Sequence, residues 1–171
     1  SMSGSKVTME APRLTGYTND NRFYRVSATR AEHDITQSHI VALSAIDAEM
    51  QMEGGGVARV VSSAGVLDTK TGRVELNQDV AVTTTDGQSG RLGHALVDTR
   101  AGTVVSNGPV SMASPRGELT SERMQISDNG KVIVLEGQVR GNFMPEPPDP
   151  TITDLSAPSP EPAPRRSGDS P

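Results

Sequence analysis

The chain has no cysteine and no tryptophan, and only four of its 171 residues are aromatic: Tyr17, Phe23, Tyr24 and Phe143. Without cysteine, disulfides and thiolate-held zinc are excluded, and the redox compartment is left open. Without a basic cluster or an aromatic platform, nucleic-acid binding lacks its phosphate contacts and its stacking surface. The formal charge is −5 and the pI about 5.2, which equally argues against a polybasic membrane-surface site. No apolar run reaches the ~20 residues of a membrane span. Proline is scarce until the end: only Pro12, Pro109 and Pro115 precede Pro145, and nine of the twelve prolines stand at or beyond it.

That distribution divides the chain. Residues 1–5, which include Ser1-Met2-Ser3-Gly4, read as a cloning remnant, so a native leader or anchor is expected upstream. Residues 6–144 read as one domain, long enough for a single moderate core. Residues 145–171 read as an extended, disordered tail, because Pro145-Glu-Pro-Pro-Asp-Pro and Pro158-Ser-Pro-Glu-Pro-Ala-Pro cannot donate ladder hydrogen bonds and have little to bury.

Within the domain, helical periodicity is weak, and only Thr29 to Gln37 has helix-compatible composition. Elsewhere, apolar and polar residues alternate over short stretches: Phe23 to Ala28, Arg73 to Leu76, Val80 to Thr83 and Lys131 to Leu135. Asp86-Gly87, Asn107-Gly108 and Asn129-Gly130 punctuate them and supply the positive φ of tight hairpin turns. A repeat accompanies the punctuation. Asp68-Thr-Lys-Thr-Gly72 and Asp98-Thr-Arg-Ala-Gly102 precede similar strands, with a looser copy at Asp128-Asn129-Gly130. Each unit reads as strand, turn, strand, kink, strand, and stacked repeats of this kind bury a face that one unit cannot. The predicted fold class is all-β.

Candidate chemistry is sparse. His33 and His39 are six apart and flank a predicted turn, while His94 is placed in a later strand. None has the i, i+2 spacing that puts two ligands on one face of a strand, so no metal site is expected. There is no G-x-S-x-G nucleophile elbow. Glu75 and Asp79 carry no weight as a glycosidase pair among 21 acids. Gly54-Gly55-Gly56 is followed by a strand pattern, Val57 to Val61, where a phosphate cradle needs a helix N-terminus. The chain is read as neither an enzyme nor a cofactor binder. What remains is an apolar strand face with few aromatics, which suits either an ordinary sandwich core or an open trough for flexible acyl chains. Methionines such as Met112 and Met124 adapt well to the second.

The order of several segments resembles the periplasmic domain of the LptC family of lipopolysaccharide-export proteins, in an alphaproteobacterial-looking version. The opening Met9-Glu-Ala-Pro-Arg-Leu-Thr-Gly-Tyr17 and Asp20-Asn-Arg-Phe-Tyr-Arg-Val-Ser-Ala-Thr-Arg-Ala31 are similar to the family's first strands. Similar again are Gly65 to Val82, Thr85-Asp86-Gly87, Gly117 to Met124 and Asn129 to Arg140, so the resemblance spans about residues 6–143. It implies a twisted antiparallel β-jellyroll, open like a V, anchored to the inner membrane by an N-terminal helix and lying in the periplasm. It also implies a carrier that accepts lipopolysaccharide from the LptB/LptF/LptG transporter and passes it to LptA. An LptA-like soluble bridge is the nearer alternative. A polymerising parallel β-helix scaffold is the alternative from another class.

On this reading the lipid A acyl chains lie between two sheets. With Tyr24, Val26 and Ala28 taken as facing inward, the repeat predicts the same for Val74, Leu76, Val80, Val82, Val104, Val110, Met112, Leu119, Met124, Ile126, Val134 and Val139. A one-residue bulge would invert any strand's assignment. Arg91, Arg116 and Arg123 are candidates for the rim, with solvated surface charge as the plainer reading. The terminal strand, Gln138, Val139, Arg140, Gly141, Asn142 and Phe143, is expected to dock LptA by strand addition, because blunting prolines arrive only from Pro145. The first strands, Lys6 to Tyr17, are expected to meet the transporter, and edge pairing also allows a homodimer.

Overall fold

The computed structural model describes residues 2–128 and 131–145. The predicted Asn129-Gly130 turn and the Pro-rich tail from residue 146 lie outside the described residues. In chain order the strands are β1 (Met2–Ser3), β2 (Lys6–Glu10), β3 (Arg13–Tyr17), β4 (Phe23–Ser27), β5 (Arg30–Asp34), β6 (Ile40–Gln51), β7 (Val57–Asp68), β8 (Arg73–Gln78) and β9 (Val80–Thr84). They continue as β10 (Ser89–Leu92), β11 (Ala95–Asp98), β12 (Thr103–Ser106), β13 (Val110–Ser114), β14 (Gly117–Ser121), β15 (Arg123–Ser127), β16 (Val132–Glu136) and β17 (Arg140–Phe143). A 3-10 turn, Ile35–Gln37, lies between β5 and β6.

Every pairing among the described residues is antiparallel. The fold is a β-jellyroll, and the parallel β-helix alternative fails on this point. Two arms share the long strands β6 and β7. The first arm runs β1-β2-β5-β6-β7-β8-β11-β12-β15-β16, using the first half of β6 and the second half of β7. The second runs β3-β4-β6-β7-β9-β10-β13-β14-β17, using the other halves. The chain therefore makes a hairpin in one arm, bends, and makes its next hairpin in the other. The thirty-residue repeat seen in the sequence is one such circuit.

The bends form a seam where the arms meet. Ala11, Ala45, Asp79 and Gln138 stand at bends with φ between 44° and 51°, a left-handed conformation that L-residues other than Asn and Asp seldom adopt. Bending frees carbonyl groups from the ladders, and buried serines satisfy them. The Ser62 hydroxyl donates to Ala64 and Gln78 carbonyls, that of Ser106 to His94, and that of Ser121 to Arg123. Serine is suited here because its hydroxyl reaches back to nearby main chain at small volume.

Two local expectations, on Asn107-Gly108 and His94, need correction. Asn107-Gly108 is not a hairpin turn: it joins β12 to β13, which lie in different arms. Pro109 follows it, and the residue before a proline is held extended, which suits a bend rather than a tight turn. Thr29–Gln37, the one helix-compatible stretch, forms β5 and the 3-10 turn, because β2 and β6 pair with β5 from both sides. His94 lies at the bend between β10 and β11 rather than within a strand.

The core is narrow. Ile46, Leu76, Val80, Leu92, Ala95, Val110 and Met124 form the one buried apolar cluster among the described residues, and they come from both arms next to the seam.

Candidate functional site: the inner faces of the two arms

In antiparallel sheets, residues directly opposite share a face, so the registers trace continuous rows across the strands. In the second arm one row runs Leu14–Val26–Ala48–Val60–Val82–Gly90–Met112–Leu119–Gly141. Beside it, nearer the seam, run Val80, Leu92, Val110 and Ser121. In the first arm a row runs Leu67–Val74–Val97–Val104–Ile126–Ile133, with Leu76 and Ala95 nearer the seam and Met124 opposite Leu135. The inner surface is thus an apolar band crossing nearly every strand, interrupted by small residues and carrying no charge along these rows.

Burial falls with distance from the seam. Val80 and Leu76 are buried, whereas Val74, Val82, Val104, Met112, Leu119 and Ile126 are half-buried, and Leu14 at the open edge is 54% exposed. The buried cluster lies next to the seam, and Val26, Val60, Val74, Val104, Met112 and Ile126 pack against it from the two arms without being fully buried. The outer face of the second arm is polar: Arg25, Glu49, Arg59 and Thr83 line up across it, with ion pairs Arg25–Glu49 at 3.1 Å and Arg59–Asp47 at 2.6 Å. The outer row of the first arm is mixed, running Val66–Glu75–Leu96–Val105–Gln125–Val134. The Arg59 guanidinium holds the Asp47 carboxyl below its usual range.

Most residues predicted to face inward are placed on this surface. Tyr24, Val26, Ala28, Val74, Leu76, Val80, Val82, Val104, Val110, Met112, Leu119, Met124 and Ile126 are all buried or half-buried. Val134 is a correction. It pairs with Gln125 on the outer face, so β16 presents Leu135 and Ile133 inward instead, the strand starting one residue out of phase with the repeat. Val139 is also misplaced, because it is 49% exposed at the bend before β17 rather than on an inner row. The sequence reading missed Leu14, Ile46, Ala48, Val60, Leu67, Leu92, Ala95 and Val97. Ile46, Ala48, Val60 and Leu67 lie on β6 and β7, which are twice as long as the repeat strands and follow no repeat phase. Val57 to Val61 had signalled a strand, and its alternation could have placed Val60.

At the rim, the plainer reading of solvated surface charge fits Arg91 and Arg123, which are exposed. Arg91 pairs with Ala81 and Ser111 on the outer face, and Arg123 faces outward opposite Glu136, with Glu122 at 3.5 Å. Arg116 sits at the β13–β14 turn, at the tip of the second arm. Turn carboxylates occupy the other tips. Asp98 accepts from the N–H groups of Arg100 and Ala101, and the bond from Ala101 leads in holding its carboxyl below the usual range. Asp34 is lowered chiefly by the Thr36 N–H. His94 Nε2 lies 3.0 Å from Glu75 Oε1, outside the trough. Among the described residues no three His, Asp or Glu side chains are grouped to hold a metal ion, and no helix is long and apolar enough to cross a membrane.

At the ends of the second arm, β3 pairs only with β4 and β17 only with β14 among the described residues. Gln138 and Val139 belong to the preceding bend, so the free terminal edge is Arg140–Phe143.

The family described as "Lipopolysaccharide-assembly, LptC-related" matches residues 3–144, which is most of the chain. The chain belongs to the LptC family. Membership carries a coarse role, lipopolysaccharide transport by a binding protein, and agrees with the jellyroll and its apolar inner band. A search among curated proteins finds no match.

Proposed function

We propose that this LptC-family domain carries lipopolysaccharide through the periplasm with the lipid A acyl chains lying in the trough between the arms. It does no covalent chemistry and needs no cofactor. The observation that supports this best is the mismatch between the apolar inner band and the narrow core: rows of Val, Leu, Ile and Met continue outward well past the residues that are buried. In a closed sandwich those rows would pack against each other. Here they remain half-exposed, and each acyl CH₂ covering them would contribute about 0.8 kcal/mol.

An edge strand at each end supports a hand-over between proteins of like fold. The free edge of β17 at one end and that of β3 at the other would each accept a strand from a protein of like fold, LptA at the β17 edge and the LptB/LptF/LptG transporter at the β2–β3 end, with the domain tethered to the inner membrane. Main-chain pairing would align the partner's apolar band with this one, so that acyl chains cross without entering water.

The test is site-specific photo-crosslinking to lipopolysaccharide. A crosslinking residue in place of Val82 or Met112, both on the inner row, captures the lipid, while one in place of Glu75, on the outer face, does not. Equal capture at all three positions overturns the proposal.

A further inference from the structure

Only four aromatic residues occur in the chain, and two of them cover glycines at opposite ends of the same inner face. A Cβ built on Gly16, in edge strand β3, would fall 2.6 Å from the Tyr24 hydroxyl oxygen and 2.8 Å from Tyr24 Cζ. A Cβ built on Gly141, in edge strand β17, would fall 2.8 Å from Phe143 Cε2 and 3.0 Å from Leu119 Cδ1. Each ring therefore rests on bare glycine backbone, where any side chain would displace it. Aromatic rings over sheet-edge glycines shield main chain that would otherwise stand open to water.

The two ends are not equivalent. Tyr24 lies on an internal strand between Gly16 and Met50 and is half-buried. Phe143 lies on the edge strand itself, has a neighbouring strand on one side only, and is 55% exposed. A ring beside Leu119, on a strand with no neighbour beyond it among the described residues, can rotate about χ1 without disturbing the fold, whereas Tyr24, between two paired strands, cannot leave its place as freely.

From this asymmetry we infer that Phe143 is the movable end-stop of the trough: its ring rests on Gly141 when an acyl chain is held, and must swing off that glycine for the chain to leave at the β17 end. This rests on the acyl-chain reading above. The occupant is a saturated acyl chain, which offers CH₂ contacts to the ring face and edge but no polar partner. Gly141 has two roles in the device: it gives the ring a flat seat, and once uncovered it leaves a gap through which a chain can slide. Phe143 is a positioning residue and does not define which lipid enters.

The experiment uses the full chain loaded with purified lipid A, with a photo-crosslinking residue in place of Met112, chased with excess unlabelled detergent micelles and irradiated at successive times. Loss of the crosslink reports release. Phe143→Ala is expected to release lipid A about three- to tenfold faster, the range of one lost aromatic contact of 0.5–1.5 kcal/mol. Gly141→Ala should do the same although it removes nothing, because the added Cβ displaces the ring. Phe143→Tyr keeps the ring and should release at the parent rate. Initial capture at Met112 by the parent protein, followed by identical decay in all four proteins, overturns the end-stop and leaves the acyl-chain reading standing. Absence of capture at Met112 in the parent overturns both. Acceleration by Phe143→Ala alone, without Gly141→Ala, also overturns it, since ring position would then not matter.

Discussion

Thr99 rests on Gly72. Its N–H and its hydroxyl both donate to the Gly72 carbonyl oxygen, at 3.1 and 2.6 Å, and Thr69 makes the same two contacts to His39, at 2.8 and 3.2 Å. Successive turns at the tip of the first arm are thereby stacked, each hung from the one before. Within the turns, Asp68 and Asp98 use Oδ1 alike, accepting from the N–H groups two and three residues on, and Gly72 and Gly102 close them at φ 73° and 68°. The Asp-Thr-x-x-Gly pattern is a stacking device. Thr99→Val keeps the N–H bond and loses the hydroxyl bond, so a loss of about 0.5–1.5 kcal/mol is expected, toward the low end for an exposed turn. Urea unfolding at pH 7 would show it as a lower midpoint with an unchanged slope.

The narrow core predicts a steep gradient of sensitivity. Leu76→Ala empties a buried site beside the seam and should destabilise by about 2–5 kcal/mol. Leu14→Ala removes the same atoms from a side chain 54% exposed at the open edge and should change stability by less than about 0.5 kcal/mol. Comparable losses in the two variants would mean that the arms close over their whole length.

Glycines on the two inner faces are expected to differ in the same way. A Cβ at Gly65 would lie 2.5 Å from Ile46 Cδ1 and 2.8 Å from the Glu75 carbonyl oxygen, and that oxygen belongs to a paired strand that cannot yield. Gly65→Ala should therefore cost about 1–3 kcal/mol by overpacking. At Gly90 the nearest atoms are the Ser111 carbonyl oxygen at 3.5 Å and Met112 Cγ at 3.9 Å, which is ordinary contact. Gly90→Ala should be neutral or stabilising by about 0.5–1 kcal/mol, the entropy that glycine loses in a strand. Thermal unfolding of the two single variants checks both.

Much of this fold was legible because β-structure announces its turns. The Asp-Thr-x-x-Gly pattern and the Asp86-Gly87 dipeptide mark hairpins whose hydrogen bonds the structure shows at Asp68, Asp98 and Thr84. The inner face was legible wherever a strand kept the repeat phase, as in Val74 and Leu76 or Val80 and Val82. It was lost at Val134, where one residue of phase decides the face, and along β6 and β7, where bends at Ala45 and around Ser62 occur inside strands with no Gly-Pro punctuation. The arms' two-sheet arrangement was invisible at Asn107-Gly108, because a bend between sheets and a turn within one use the same residues.

Stability should depend on pH in one direction. Asp34, Asp47 and Asp98 all have carboxyls lowered below the ordinary value, by the Thr36 N–H, the Arg59 guanidinium and the Ala101 N–H respectively. A lowered folded-state pKa contributes stability that is present above the unfolded pKa, about 4, and is lost as pH falls through the folded value. These groups leave stability level between pH 7 and 5 and make it fall below about pH 4. Asp98→Asn should flatten that fall, and urea midpoints at pH 3, 4, 5 and 7 for the two proteins would measure it.

The edge proposed to meet LptA can be tested at single N–H groups. Met144 N–H donates to the Arg116 carbonyl, on the side of β17 that faces β14. Alternation along a strand then turns the Asn142 and Arg140 N–H groups toward β14 and those of Gly141 and Phe143 toward the open edge. Proline at position 141 removes an outward N–H that no neighbour among the described residues uses; at position 142 it removes one that the ladder uses. Gly141→Pro should therefore abolish capture of LptA while leaving the β-sheet circular dichroism and the unfolding midpoint nearly unchanged. Asn142→Pro should lower the midpoint as well, by breaking the β14–β17 pairing. The Phe143 ring must move aside in Gly141→Pro, so Phe143→Ala serves as the control, keeping every N–H and retaining LptA. Capture by Gly141→Pro at the parent level would place the docking edge elsewhere, and self-association lost in the same variant would assign the edge to a second copy of this chain.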